Sequence, residues 1–329
     1  MKELIKRLVE TYGPAGNEET IRNLIMEEVK PYVDEIHVDA LGNLITVKRG
    51  GGKKLMLAAH MDEIGVMVTS IDDNGFLRFY GVGGISPFSL IGNRCYFANG
   101  TVGVFGIERL DAMKDLTMNK MFIDIGVDSK EEALKKVNIG DVAAIKREFC
   151  DLGKRLVSKA MDDRIACAIL IEALKQVENQ AYDIYAVFTS QEEVGLRGAR
   201  VAAYGISPDL GIAIDVTRTG DTPKSATMAV SLGKGPTVKV RDSSVLCTPA
   251  VRRHMEEVAK ANDIPYQLEV LEAGGTDAGA IQLTKSGIPA GVMSIPCRYI
   301  HTASEMVDYD DVQLGVRFLV KLMETEYQG

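Results

Sequence analysis

The chain has 329 residues, of which 46% are hydrophobic and 26% charged. These are ordinary values for a globular protein, and they exclude a disordered or collagen-like chain. The 46 acidic and 38 basic residues give a formal net charge of −8, which argues against general binding to nucleic acid or to an anionic membrane surface. The length predicts about two domains.

The sequence carries no signal for a membrane or for export. It contains no apolar run of about 18 residues, the length that spans a bilayer. Its first residues, MKELIKRLVETYG, are charged throughout and lack the apolar core of a signal peptide. Five cysteines occur, an odd number without a CxxC pair, which is typical of free thiols in a reducing compartment. We therefore expect a cytoplasmic protein with no membrane partner.

The first part of the chain predicts helices followed by strands. Apolar residues recur at helical spacing in Leu4–Val9 and again in Ile21–Val29. The continuous apolar run Leu55–Ala59 is typical of a strand buried on both faces. This run ends abruptly at His60, and Asp62 follows two residues later.

The pattern changes after Gly65. Short β-like runs follow at close intervals and are separated by turns such as Asp73-Asn74-Gly75 and Asn99-Gly100, which favours a small barrel or sandwich. From Ser158 onward, helices and strands alternate again, as in an α/β protein. The predicted class is therefore α/β, with a mixed, mostly parallel sheet flanked by helices. Residues 1–66 and 157–329 would form this domain, and residues 67–156 an inserted small β-barrel domain.

Histidine and carboxylate side chains follow the ends of the predicted strands. In open α/β sheets, ligands bind beyond the carboxyl ends of the strands. The residues at or near these positions, together with those that open the long helix after Ser158, are His60, Asp62, Asp162, Asp163, Glu192, Glu193, Asp215 and His301. The nearest cations in the sequence are Lys159, Arg164 and Arg298.

Such a cluster of acids needs a counter-charge, because several carboxylates in one partly dry pocket cannot all ionise alone. A divalent metal ion is the simplest source. Imidazole and carboxylate ligands suit zinc, cobalt or manganese, and the lack of cysteine pairs argues against a zinc finger. More ligands are present than one catalytic ion needs, so two ions that share a carboxylate fit better.

Each of these residues also has a simpler interpretation. His60 alone could be a hydrogen-bonded histidine of the core, although Asp62 is well spaced to accept its second ring N–H. Asp162 could belong to an ordinary acidic helix start, and Glu192 could lie on a solvated loop. Asp215 is harder to dismiss, because an unpaired carboxylate in an apolar strand is costly.

Five motifs, taken in chain order, resemble the signatures of the M42 family of metallo-aminopeptidases. That family includes tetrahedral and glutamyl aminopeptidases, and some members have been labelled endoglucanases. The motifs are His60-Met61-Asp62-Glu63-Ile64-Gly65, Ser158-Lys159-Ala160-Met161-Asp162-Asp163-Arg164, Gln191-Glu192-Glu193-Val194-Gly195, Ala213-Ile214-Asp215 and Arg298-Tyr299-Ile300-His301.

The resemblance implies a zinc-peptidase-like fold and a metal site. Asp162 would bridge two divalent metal ions and would be joined to the next residue by a cis peptide. His60 and Asp215 would complete one metal position, and Glu193 and His301 would complete the other. Zinc or cobalt is the metal we expect first, with manganese as the alternative.

The resemblance also implies catalytic residues and partners. Glu192 would be the general base, and Asp62 would orient the neighbouring metal-binding histidine. The substrates would be peptides, and dimers made through the inserted domain would assemble into a dodecamer. The segment Gly274–Ala278 resembles a further family signature, but a simple helix cap explains it equally well. The family often has Ser-Pro-x-Glu after its last histidine, whereas this chain has Thr302-Ala303-Ser304-Glu305.

The sequence therefore predicts a two-metal aminopeptidase, and it leaves rivals to be tested. A carboxypeptidase or an N-acyl amino acid deacylase on a similar scaffold would not need a free α-amine. A glycosidase would need two carboxylates on either side of a sugar bond, which adjacent Glu192 and Glu193 do not favour. A Cys297–His301 nucleophile pair, or a non-catalytic binding protein, would leave the carboxylate cluster unexplained.

Overall fold

The computed structural model describes residues 1–329. Its α-helices, in chain order, are α1 (Lys2–Glu10), α2 (Glu19–Val29), α3 (Pro87–Leu90), α4 (Lys130–Leu134), α5 (Met161–Gln176), α6 (Arg197–Ile206), α7 (Pro249–Ala261), α8 (Asp277–Gln282) and α9 (Tyr309–Glu324). None of these helices combines the length and the apolar character that crossing a membrane requires.

The strands form one large sheet and one barrel. In chain order they are β1 (Glu35–Val38), β2 (Leu44–Lys48), β3 (Lys54–His60), β4 (Gly65–Ile71), β5 (Leu77–Val82), β6 (Arg94–Phe97), β7 (Val102–Ile107), β8 (Met121–Asp124), β9 (Val142–Lys146), β10 (Cys150–Asp151), β11 (Arg155–Ser158), β12 (Asp183–Thr189), β13 (Leu210–Thr217), β14 (Thr237–Arg241), β15 (Gln267–Val270), β16 (Ala290–Arg298) and β17 (Glu305–Asp308).

The large sheet has eleven strands, and its main path is β1-β2-β12-β3-β13-β16-β17-β11-β10, with β14 and β15 joined through β16. The central strands β12, β3, β13 and β16 run parallel to one another. The strands outside this centre on the main path pair antiparallel. The predicted α/β class with a mixed sheet flanked by helices is confirmed. The sheet is mostly parallel, as predicted, only at its centre, where helices cover both faces; outside the centre the one parallel pair is β14 with β15.

Both faces of the central sheet are buried, as the apolar run at β3 predicts. Leu55 and Leu57 point into the main core, which also includes residues of α1, α5 and α9. Met56 and Ala58 point the other way, into a smaller core with residues of α6 and α8. Because successive side chains of a strand point to opposite faces, one unbroken apolar run packs against two helical layers.

The inserted β-rich segment closes into a barrel, with the strand order β4-β5-β8-β7-β6-β9. It has its own core of 19 buried residues. The barrel strands start at Gly65 and end at Lys146, while β10 and β11 pair within the large sheet. The domain division at residues 67–156 stays a prediction.

Candidate active site

The ends of the parallel strands bring the candidate residues together. His60 is the last residue of β3, and Asp215 lies near the end of the adjacent β13. Ala58 and Ala213 are register partners across these strands, so the two candidate ligands, each two residues farther on, lie level with each other. Glu192 and Glu193 follow β12, and His301 follows β16.

Two groups of side chains could each hold a metal ion, and they share Asp162. His60, Asp162 and Asp215 offer ligand atoms that all lie within 4.8 Å of one another, and Asp162, Glu193 and His301 do the same. The Asp162 Oδ1 atom lies 3.0 Å from Nε2 of His60, and its Oδ2 atom lies 3.3 Å from Nε2 of His301. All five residues that the sequence predicts as ligands therefore meet at one place.

The carboxyl groups of this cluster are poorly hydrated. Burial raises the pKa values of Asp215, Glu192 and Glu193 above their ordinary range, and neighbouring carboxylates raise them further. Burial would also raise the pKa of Asp162, but its hydrogen bonds with His301 and His60 hold that pKa below the usual value. The Oε1 atom of Glu193 is buried without a hydrogen-bond partner.

The two histidines are surrounded by the negative charge of these carboxylates. Burial alone would lower the pKa of His60, yet nearby Glu192 and Asp162 raise it well above the usual value. For His301, burial is likewise outweighed by Asp162 and Glu193, which raise the pKa to about 12. Carboxylate oxygens and imidazole nitrogens that together attract positive charge are a suitable ligand set for divalent metal ions.

The cations nearest in the sequence do not neutralise the cluster. The Nζ atom of Lys159 lies 2.6 Å from Oε2 of Glu63, and Arg164 donates to backbone carbonyls of the α1 region, including those of Leu8 and Gly13. Arg298 pairs with Asp221 at 2.8 Å. These three side chains are engaged with other partners, which leaves the carboxylates of the cluster available to a bound cation.

Asp62 holds the loop after β12 rather than only the histidine. Its carboxylate accepts hydrogen bonds from the backbone N–H groups of Glu192 and Glu193, at 3.0 and 3.1 Å. The Nδ1 atom of His60 lies 3.2 Å from the backbone carbonyl of Asp62 and 3.6 Å from its carboxylate. The sequence pattern suggests that the Asp62 carboxylate orients the His60 ring, but the backbone carbonyl of Asp62 makes the closer contact.

Glu192 is placed differently from the five candidate ligands. It belongs to neither of the two possible metal groups, its side chain is 11% exposed, and its Oε2 atom lies 3.8 Å from Nε2 of His60. It lines a cavity of about 370 Å³ together with the candidate ligands. A carboxylate that lines a cavity beside the candidate ligands has the kind of location that a general base requires.

The cavity includes part of the Gly274–Ala278 segment, whose role the sequence leaves open. Gly274 and Gly275 line the cavity, and α8 begins at Asp277. The Asp277 carboxylate accepts a hydrogen bond from the hydroxyl of Thr189, which is the register partner of His60. The segment therefore both starts a helix and borders the site.

The peptide bond between Asp162 and Asp163 is cis, as the resemblance implies. Cys297 is fully buried, and burial raises the pKa of its thiol well above the usual value. It also does not line the cavity. A buried neutral thiol of this kind is a poor nucleophile, so a Cys297–His301 pair has no support.

Sequence reasoning assigned no role to Glu305. This residue is 1% exposed, and its carboxylate accepts hydrogen bonds from the backbone N–H groups of Asp162 and His301. Its place four residues after His301 is visible in the sequence, but its contact with Asp162, 143 positions away, depends on the strand pairing.

Comparison with known proteins identifies the family. The model of the M42 glutamyl aminopeptidase family matches residues 42–318. The chain belongs to the M42 family of aminopeptidases. Aminopeptidases are hydrolases that release N-terminal residues from peptides, and M42 peptidases are metal-dependent.

Similar proteins support this assignment over almost the whole chain. A putative aminopeptidase of Acetivibrio thermocellus is 56% identical over 98% of both chains. An aminopeptidase structure from the archaeon Desulfurococcus kamchatkensis superposes with a TM-score of 0.95 at 39% identity, covering 99% of this chain and 94% of that one. The TET1 peptidase of Pyrococcus horikoshii superposes with a TM-score of 0.88 at 35% identity over 98% of both chains. It is described as assembling into a tetrahedron or a large octahedral shell.

Proposed function

We propose that this M42 aminopeptidase works with two divalent metal ions and a glutamate general base. One ion would be held by His60 and Asp215, the other by Glu193 and His301, with Asp162 shared between them. The observation that carries the proposal is the pair of ligand groups that overlap only at Asp162. When bound, the ions would polarise the scissile carbonyl and lower the pKa of the attacking water.

Glu192 would move the proton. Its carboxylate is not needed in either ligand group, and it lines the cavity beside the candidate ligands. It would accept a proton from the attacking water and donate it to the leaving amine. Asp62 would keep Glu192 in place through the hydrogen bond to the Glu192 backbone N–H.

The substrates would be peptides with a free N-terminal amine. A carboxylate-rich cavity of about 370 Å³ suits a cationic amine next to the scissile bond. An N-acylated substrate would lose that charge and would add bulk at the same position. This requirement distinguishes the proposed activity from that of a deacylase.

Zinc or cobalt is the metal that we propose first, with manganese as an alternative, because the donors are imidazole nitrogens and carboxylate oxygens without thiolates. We also propose a cytoplasmic location. All five cysteines are free, and four of them are buried, as expected for a protein of a reducing compartment.

The proposed assembly is a homo-oligomer in which dimers build a dodecamer. The barrel exposes large apolar side chains, among them Tyr80, Phe88 and Ile139, which are 71%, 56% and 64% exposed. Exposed apolar groups of this size are typical of contact surfaces. The tetrahedral assembly described for the Pyrococcus horikoshii peptidase is the model for this proposal.

One experiment tests the activity and the metal requirement together. A panel of aminoacyl chromogenic substrates is assayed in free and N-acetylated form, and the metal content of the same sample is measured. We expect hydrolysis only of the free substrates, two ions per subunit, loss of activity after chelation, and recovery with zinc, cobalt or manganese. Full activity in metal-free protein, or faster cleavage of the acetylated substrates, would refute the proposal.

A further inference from the structure

Glu305 joins two segments that carry candidate ligands. Its Oε2 atom accepts a hydrogen bond from the backbone N–H of Asp162 at 2.9 Å, and its Oε1 atom accepts one from the backbone N–H of His301 at 2.7 Å. The side chain is almost fully buried. Loss of either bond would leave a buried polar group without a partner, which is costly, so this side chain fixes the positions of both donors.

The topology explains why one side chain can reach both segments. Strand β17 lies between β11 and β16 in the sheet, and Glu305 is the register partner of Ser158, the last residue of β11. The chain continues from β11 to Asp162 and from β16 to His301. Glu305 therefore stands where the two chain segments leave the sheet.

Both of the segments that Glu305 holds need such support. Asp162 is the residue shared by the two ligand groups, so any shift of its backbone moves both metal positions. His301 has a left-handed φ of +63°, which is costly for a residue with a side chain and persists only when the surroundings fix it. The carboxylate of Glu305 fixes the N–H of that same residue.

We propose that Glu305 is a positioning residue that sets the spacing between the two metal positions of this enzyme. The inference rests on the proposed two-metal function, and it adds a residue that acts through Asp162 and His301 without touching an ion itself. Partners of metal ligands typically contribute about 10- to 100-fold to metal affinity. We expect the contribution of Glu305 to metal affinity to lie in that range, because Glu305 holds two ligand-bearing segments at once.

The chain offers a closely matched control in Asp311. This residue is also fully buried, and its carboxylate accepts hydrogen bonds from the backbone N–H groups of Gly233 and Gly235, at 2.6 and 2.7 Å. Like Glu305, it accepts two backbone hydrogen bonds, but from a loop that carries no candidate ligand. Asp311→Asn and Glu305→Gln each replace one acceptor oxygen by an amide NH₂ group.

The experiment measures Zn²⁺ affinity on the full-length protein by competition with a chromophoric chelator, alongside the thermal midpoint of the metal-free form. We expect Glu305→Gln to weaken at least one of the two Zn²⁺ affinities by about 10- to 100-fold. Glu305→Asp keeps the charge but has a shorter arm, so it should be intermediate. Asp311→Asn should lower the thermal midpoint but leave both affinities unchanged.

Several results would overturn the inference. Unchanged Zn²⁺ affinity in Glu305→Gln would contradict the inference. An equal loss of Zn²⁺ affinity in Asp311→Asn would also contradict it, because it would show that a general loosening of the fold weakens metal binding. If Glu305→Gln does not fold even in excess Zn²⁺, Glu305 is required for folding and not specifically for positioning the ligands. If the unsubstituted protein binds no Zn²⁺, the two-metal proposal itself fails, and the role of Glu305 falls with it.

Discussion

The two halves of the candidate metal centre stand on different kinds of structure. His60 and Asp215 lie on adjacent parallel strands and are 2% and 6% exposed. Glu193 and His301 lie on loops that follow strands, and the His301 side chain is 29% exposed. A strand is fixed by the hydrogen bonds of the sheet on both sides, whereas a loop needs separate contacts to hold its position.

Those separate contacts come from distant parts of the chain. Asp62 holds the backbone of Glu193, and Glu305 holds that of His301. The inserted barrel adds a third support through Gly83 and Gly84, which follow β5. A Cβ atom at Gly83 would lie 3.1 Å from Oε2 of Glu193, and one at Gly84 would lie 2.9 Å from Nδ1 of His301.

The comparison leads to an order of metal affinities. We expect the strand-borne half, His60 with Asp215, to bind its ion more tightly than the loop-borne half, Glu193 with His301. The loop-borne half should also respond to changes in the barrel, because two barrel glycines pack directly against its side chains.

The largest effect should come from the residue that belongs to neither half. Glu192→Gln keeps the size of the side chain but cannot accept a proton, so turnover should fall by about 10²- to 10⁴-fold, the usual contribution of general base catalysis. Metal content should stay nearly unchanged, because no ligand is removed. Turnover and bound metal are measured on the same sample. Loss of metal in this variant would mean that Glu192 is a ligand.

The second prediction removes one ligand from each half. Glu193→Gln should lose one ion per subunit and regain part of its activity in excess metal, because an amide oxygen is a poorer ligand than a carboxylate. Asp215→Asn should keep the weaker site but lose the tighter one. In each variant, the affinity of the site that loses its ligand should fall by more than about 100-fold, which is the upper end of the range for residues that only position a ligand. Equal affinities of the two sites in the unsubstituted protein would contradict the proposed order.

The same comparison shows what the sequence could and could not predict. His60 and Asp215 could be predicted from sequence because each ends or interrupts a buried apolar run, and parallel strands bring such ends together. The supports of Glu193 and His301 could not, because they depend on how β17 pairs and on where the barrel docks. The sequence pattern shows a glycine pair at 83–84, but nothing in it indicates which side chains those glycines touch.

The third prediction tests the contribution of the barrel. Gly84 does not need a left-handed backbone, so Gly84→Ala is opposed only by the ring of His301, whose Nδ1 and Cε1 atoms would lie 2.9 and 3.0 Å from the new Cβ atom. The imidazole must shift to relieve this contact. We expect the weaker metal affinity to fall by about tenfold, the lower end of the range for residues that position ligands. The tighter affinity should not change, as measured by chelator competition.

Gly205→Ala is the control for this substitution. Gly205 lies on α6, and a Cβ atom there would meet nothing within 4 Å beyond the neighbouring backbone of its own helix. Alanine at this position should therefore leave both metal affinities unchanged and stabilise the helix slightly. If Gly84→Ala also leaves both affinities unchanged, the barrel does not support the loop-borne half.

The smallest effect concerns the choice of substrate side chain. Apart from the candidate ligands and Glu192, the cavity has no acidic side chain, and its apolar lining includes Leu196, Leu271 and Ile300. Apart from the two histidines, its one basic residue is Arg218, which is exposed and forms no ion pair within the chain. An unpaired guanidinium at the edge of the cavity should disfavour N-terminal lysine or arginine and favour apolar or acidic residues.

The last prediction removes this charge with Arg218→Ala. Exposed charges interact by about 0.2–1 kcal/mol, so the kcat/KM ratio of lysyl to leucyl substrates should rise by a factor of about 1.4 to 5. The ratio for glutamyl over leucyl substrates should fall by a similar factor, because the same cation would attract the acidic side chain. Arg200→Ala, which removes an exposed arginine of α6 that does not line this cavity, should change neither ratio. Opposite shifts for lysyl and glutamyl substrates are the sign of a charge effect, since a change of cavity shape alone would not separate the two by charge.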